Sequence, residues 1–123
     1  MEQLASLFFH SRTQAHIFHL GVKGPGAYAA HKALETYYEE IVDLIDGLVE
    51  SYQGKNGLIK FQPVNSIDNN CDIKNIISYF EKLCVALEKL RQDKKLQDSW
   101  IQNEIDNVAN LLYSTKYKLV NLG

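Results

Sequence analysis

The sequence has few of the residues that interrupt helices or cross-link a chain. Its 123 residues include two prolines, Pro25 and Pro63, and two cysteines, Cys71 and Cys84. Because proline breaks the interior of a helix, long uninterrupted helices are permitted over most of the chain. Two cysteines without a secretory signal indicate reduced thiols in ordinary packing or surface positions, and their spacing matches no zinc motif.

Long apolar runs and an excess of one charge are also absent. No stretch approaches the roughly 18 apolar residues that cross a bilayer. The first residues lack the basic start and cleavage site of a signal peptide, so we expect a soluble, cytoplasmic protein. With 13 Lys and Arg against 15 Asp and Glu, the net charge of -2 gives no electrostatic footprint for DNA. DNA compaction is therefore the least supported function, and its signature would be a gel shift that weakens steeply with salt.

Apolar residues recur at three-four spacing in four stretches, which predicts four helices in one domain covering residues 1–123. Glycines near positions 21–26 and 54–57, and polar residues from Gln92 to Lys95, separate these stretches. The segment from Leu58 to Asn70 reads as a longer connection with at most one helical turn. Two short connections and one longer one predict an all-α four-helix bundle. The predicted helices are Leu4 to Leu20, Tyr28 to Tyr52 with a buried stripe of Leu34, Tyr38, Ile41, Ile45 and Leu48, Asp72 to Lys94, and Ser99 to Leu119 with Asp98 or Ser99 as its cap.

The second predicted helix carries the residues most suited to chemistry. At about 100° per residue, Glu35 lies roughly 40° around the helix from His31, Asp46 roughly 60° and Glu50 roughly 100°. These four side chains therefore share one side of the helix, and imidazole with carboxylates suits iron and similar divalent metals. The alternative is that the acids are simply solvated and that the histidine is an ordinary surface or core residue.

The distances along this helix prevent one chain from bringing both pairs to a single metal centre. At about 1.5 Å per residue, His31 and Glu50 are about 28 Å apart, and Glu35 and Asp46 about 16 Å. Two copies of the helix packed antiparallel would bring both pairs together, which predicts a two-fold dimer with two equivalent shared sites. A site inside one bundle would use Glu-x-x-His motifs on two helices, but no histidine follows His31.

The stretch from His19 to Glu50 resembles the ferroxidase signature of the Dps-type miniferritins, a ferritin-like family. His31 follows His19 by 12 positions, and Val22-Lys23-Gly24-Pro25 is similar to the family's turn between its first two helices. The resemblance implies a ferritin-like four-helix bundle that binds iron through five residues. Three come from one subunit and two from its partner: His19, His31 and Glu35, with Asp46 and Glu50.

The family resemblance also implies an activity and an assembly. Such proteins oxidise Fe(II) with hydrogen peroxide or oxygen, store the ferric product in a shell of twelve subunits and so protect against peroxide. Zn²⁺ or Mn²⁺ would also fit these ligands. Short chains of this type occur in bacteriophage genomes, so the expected cytoplasm is that of a bacterium or of a phage-infected bacterium.

Several positions depart from the family pattern. Glu35 stands where aspartate is usual, Leu20 replaces a tryptophan and Gly21 an asparagine, and Ala27 replaces an aromatic residue. The chain has no basic N-terminal tail, and the connection after Glu50 is shorter than the family's. The strong resemblance covers about Leu4 to Tyr52, whereas the third and fourth helices match only in pattern.

Other interpretations stay open. A non-enzymatic helical interaction protein, in a phage or in regulation, would keep the same dimer surface without iron turnover, and iron-dependent oxygen uptake would separate the two. Tyr37 and Tyr38 would either pack in the bundle or quench radicals. His16, one turn before His19, would be an extra ligand or a surface residue behind the ligands.

Overall fold

The computed structural model describes residues 1–62 and 66–123. Its helices are α1, Glu2–Gly21, α2, Ala27–Asn56, α3, Ile73–Leu90, and α4, Ser99–Asn121, with a 3₁₀ turn at Lys94–Leu96. No strand occurs among the described residues. The predicted all-α four-helix bundle is therefore confirmed. Pro63 and Asn65, which the sequence places in the long connection, lie outside the described residues.

The four helices form a closed ring in which α1 packs on α2, α2 on α4, α4 on α3 and α3 on α1. Lys55 near the end of α2 pairs with Asp98 just before α4, at 2.8 Å, and the backbone of Gly26 before α2 lies against that of Gly123 after α4. These two contacts make α2 and α4 antiparallel. Because α2 and α3 run in the same direction, the described residues between them, 57–62 and 66–72, belong to a crossover along the bundle.

Hydrogen bonds tie this crossover to α1 over most of the helix. The amide of Gln14 pairs with the backbone of Asp68 in both directions: its Nε2 donates to the carbonyl, and its Oε1 accepts from the backbone N–H, each at 2.8 Å. Nearer the start of α1, the ring of His10 lies 3.2 Å from the carbonyl of Ser66. Near the end, the Cys71 thiol donates to the carbonyl of Ile17 at 3.8 Å.

Tyr37, rather than Tyr38, contributes the buried aromatic ring of α2. Tyr37 has no exposed surface, its hydroxyl hydrogen-bonds Ser11 at 2.7 Å, and its ring meets Phe80 of α3 edge-on. Tyr38 was expected in the buried stripe but is only half-buried, at the edge facing α1. The packing role predicted for Tyr37 is confirmed, whereas Tyr38 occupies the boundary between the two helices.

The ends of α2 and α3 and the cap of α4 differ from the sequence prediction, and α2 continues to Asn56, four residues past Tyr52. α3 ends at Leu90 instead of Lys94, because Gln102 of α4 donates side-chain hydrogen bonds to the carbonyls of Arg91 and Leu96 and holds the chain in a turn. Asp98 occupies the N-cap of α4, but its carboxylate binds Lys55 and makes no capping bond. None of the helices in the described ranges is long and apolar enough to cross a membrane.

Candidate metal centre

His19 at the end of α1 and His31 in the first turns of α2 hold the two helices together. The Nδ1 of His19 donates to the carbonyl of His31 at 2.8 Å, and the Nδ1 of His31 donates to the carbonyl of His19 at 2.9 Å. The two rings stack with centroids 3.6 Å apart and planes 19° from parallel. Because the last carbonyls of a helix lack intrahelical partners, His31 also satisfies an unpaired group of α1.

These reciprocal hydrogen bonds determine the tautomer of both imidazole rings. A carbonyl oxygen can only accept, so each Nδ1 must carry a hydrogen, and the Nε2 of each neutral ring then keeps its lone pair. Neither Nε2 has a hydrogen-bond partner in the described part of the chain. Histidines that bind metals are oriented in this way, with one ring nitrogen donating to a carbonyl and the other left for the ion.

Glu35 lies one turn beyond His31 on α2 and is already engaged in an ion pair. Its carboxylate accepts a hydrogen bond from Lys32 at 3.2 Å, and both side chains are partly exposed. The hydrogen bond with Glu35, and then its charge, raise the pKa of Lys32 above the ordinary value. Because exposed ion pairs are weak, this pair leaves Glu35 accessible to a stronger cation.

The structure does not bring Asp46 and Glu50 to the histidines of the same chain. Both are exposed, on the second half of α2, and they have no ion-pair partner within the described residues. Within residues 1–62 and 66–123, no group of three or more His, Cys, Asp or Glu side chains could hold a metal ion. Of the five predicted ligands, one chain therefore joins only His19 and His31 directly, with Glu35 one turn away.

Two further rings extend the histidine pair. Tyr38 stacks on His16, with centroids 4.2 Å apart and planes 16° from parallel, and makes an edge-to-face contact with His19 at 5.3 Å. The rings of His16 and His19 are 6.0 Å apart and tilted by 60°. Tyr38 lies seven residues, or about two turns, beyond His31, so both side chains are on the same side of α2.

The fourth histidine belongs to a different part of the bundle. His10 lies within 3.2 Å of the hydroxyl of Tyr79 on α3 and of the Ser66 carbonyl. It therefore links α1, α3 and the crossover. The histidines near the start of the chain thus make two separate sets of contacts: one joins α1 to α2, and the other joins α1 to α3 and the crossover.

Comparison with known proteins places the chain in a family. It is 30% identical over 116 residues to an uncharacterized 14.6 kDa protein in the mobD-ri intergenic region of Enterobacteria phage T4, covering 94% of this chain and 79% of that protein. No solved structure matches. A family model matches residues 24–119, a range that includes His31, Glu35, Asp46 and Glu50 and begins after His19. The chain belongs to the family described as a family of unknown function (DUF5856).

Proposed function

We propose that this protein is an iron-binding, ferritin-like protein of the miniferritin type, which oxidises Fe(II) at sites shared between two subunits. The observation that carries the proposal is the histidine pair. In both rings Nδ1 donates a hydrogen bond to a backbone carbonyl, and the Nε2 lone pair is available to a ligand. If the two histidines served only to join α1 and α2, the Nδ1 hydrogen bonds alone would be sufficient.

The topology supports the same proposal. A four-helix bundle with one long crossover between its second and third helices has the connectivity of ferritin-like folds. In this bundle α2 and α3 are joined by such a crossover, of which residues 57–62 and 66–72 are described. The relative in phage T4 fits a phage protein that works in the cytoplasm of an infected bacterium.

The separation of the acidic residues supports a shared site. His31 and Glu35 occupy the first half of α2, whereas Asp46 and Glu50 lie exposed in its second half, about 16 Å beyond Glu35 at about 1.5 Å per residue. A two-fold axis across α2 would place Asp46 and Glu50 of one subunit opposite His31 and Glu35 of the other. The resemblance extends this dimer to a shell of twelve subunits that stores the ferric product.

A set of two imidazoles and three carboxylates favours the oxidation of bound Fe(II). Carboxylates are hard donors and imidazole is intermediate, a combination that binds Fe(II) and also accepts Zn²⁺ or Mn²⁺. Anionic oxygen ligands stabilise Fe(III) more than Fe(II), so they ease the loss of one electron from each ion. Two Fe(II) ions supply the two electrons that reduce one hydrogen peroxide to water.

The test compares two pairs of carboxylates on the same exposed face of α2. Changing Asp46→Ala with Glu50→Ala should reduce Fe(II) oxidation, followed by the absorbance of the ferric product, to the rate in buffer. The matched control, Glu39→Ala with Asp43→Ala, removes the same charge from neighbouring exposed positions and should keep the wild-type rate. A wild-type protein no faster than buffer, or equal losses in both variants, would contradict the proposal.

A helical interaction protein without turnover is the second candidate. The observation that favours it is that the reciprocal hydrogen bonds of His19 and His31 already serve to join α1 and α2. Such a protein would dimerise through the same face of α2 but would show no iron-dependent oxygen uptake. Fe(II) oxidation faster than in buffer, with oxygen or with hydrogen peroxide as the oxidant, therefore decides between the two candidates.

A further inference from the structure

Four aromatic rings, two of which are the histidine pair, alternate between α1 and α2. The order is His16 of α1, Tyr38 of α2, His19 of α1 and His31 of α2, with successive centroids 4.2, 5.3 and 3.6 Å apart. The first and last contacts are face-to-face, and the middle one is edge-to-face. We call these four side chains the ring row.

His19 is held from two directions within the ring row. The face of its ring rests on His31, and its Nδ1 is bonded to the His31 carbonyl. The ring of Tyr38, 5.3 Å away and 76° from parallel, packs against His19 as a third contact. The direction of the His19 Nε2 lone pair is therefore set by His31 and Tyr38 together.

Tyr38 in turn depends on His16. Its ring is only half-buried, and its hydroxyl has no hydrogen-bond partner in the described part of the chain. The flat contact with His16, 16° from parallel, is thus a main restraint on the tyrosine. The ring of His16 lies 6.0 Å from that of His19, with Tyr38 stacked on it.

We propose that Tyr38 and His16 are positioning residues of the metal centre: Tyr38 aims the Nε2 of His19, and His16 acts through Tyr38 as a flat ring. This inference rests on the proposed function. It requires an aromatic surface at both positions and requires neither the phenol hydroxyl nor the imidazole nitrogens of His16. It therefore assigns His16 a role other than that of an extra ligand.

Four variants test the proposal, with Co²⁺ as the probe because its visible absorption reports ligand geometry. His16→Phe and Tyr38→Phe keep a flat ring and should leave the dissociation constant and the Co²⁺ spectrum close to wild type. His16→Ala and Tyr38→Ala should weaken binding about 10-fold or more, the usual loss when a group that orients a ligand is removed. Equal weakening by His16→Phe and His16→Ala would show that a nitrogen is needed and would overturn the proposal.

A measurement on the metal-free protein separates this inference from the proposed function. The ¹⁵N resonances of His19 should report a single Nδ1–H tautomer in wild type and in His16→Phe, and averaged signals in His16→Ala. Unchanged His19 signals in His16→Ala would overturn the inference, whatever the metal data show. A wild-type protein that binds no Co²⁺ would overturn the proposed function, while the resonances still decide the positioning role.

Discussion

Gly21, at the end of α1, is packed too closely against the crossover to accept a side chain. A Cβ placed there would lie 2.9 Å from the Cβ of Cys71 and closer still to its sulfur. Since Gly→Ala in a helix normally stabilises, the clash should reverse the sign. We predict that Gly21→Ala lowers the free energy of unfolding by about 1–3 kcal/mol, the usual cost of overpacking, in urea denaturation.

Gly47, inside α2, provides the matched control for that change. A Cβ at Gly47 would meet no atom within 4 Å, so Gly47→Ala should raise the free energy of unfolding by about 0.4–1 kcal/mol. Equal stabilisation by both substitutions would contradict the packing at Gly21. The same packing explains why position 21 is occupied by glycine.

Tyr37 should make the protein sensitive to alkali. Burial raises the pKa of this phenol well above its ordinary value of about 10. The folded state therefore favours the neutral phenol, so this contribution to stability is complete below pH 10 and is lost as the pH rises towards the folded pKa. We predict that the free energy of unfolding falls above pH 10 by about 1.4 kcal/mol per pH unit for this group.

The variant Tyr37→Phe isolates that effect. Burial also raises the pKa of Tyr79, but Tyr79 is present in both proteins, so the difference between their curves belongs to Tyr37. Tyr37→Phe should lose about 0.5–1.5 kcal/mol at neutral pH with the hydrogen bond to Ser11. Urea denaturation from about pH 8 to 11 should then show a shallower decline. Parallel curves would contradict the assignment.

The crossover depends on one buried amide. Gln14 has no exposed surface and makes two hydrogen bonds to the backbone of Asp68. We predict that Gln14→Ala lowers the free energy of unfolding by about 1–3 kcal/mol. It should also remove the protection of the Asp68 amide from hydrogen exchange. Thr13→Ala, at the exposed neighbouring position, should change stability by no more than about 0.5 kcal/mol and keep that protection.

The helices could be predicted from the sequence, because they follow from a local pattern of apolar residues. Features that depend on contacts with residues far along the chain could not. The three-four spacing of apolar residues predicted all four helices. The end of α3 was missed because Gln102, 11 residues beyond Arg91, sets it. Gln14 was missed because its partner is 54 residues away, and no pattern along α1 points to it.

The candidate site also has a part that the sequence predicts and a part that it does not. Helical geometry alone placed His31 and Glu35 on one side of α2. The reciprocal bonds of His19 and His31 depend on how two helices meet and on the choice of side-chain rotamers, which spacing does not specify. The stack of His16 on Tyr38 has the same origin, so the sequence could not decide between a ligand and a surface role for His16.

The outer face of α2 is lined with acidic side chains. Residues 33–54 contain six acidic side chains and no Lys or Arg, and five of the acids, Glu35, Glu39, Asp43, Asp46 and Glu50, repeat at three-four spacing on the outside of α2. Like charges at such spacing destabilise a helix. Cations bound between two copies of α2 would relieve that repulsion, in keeping with a shared centre.

Mixing two inactive variants tests the shared site most directly. One chain carries His31→Ala with Glu35→Ala, the other Asp46→Ala with Glu50→Ala, and sedimentation of the mixture with distinguishable tags measures how many hybrid dimers form. A hybrid contains one complete site and one site that lacks all four residues. We predict that each hybrid dimer recovers roughly half of the wild-type rate of Fe(II) oxidation, because one of its two equivalent sites is intact. Hybrid dimers that form and yet oxidise Fe(II) no faster than either parent would contradict it.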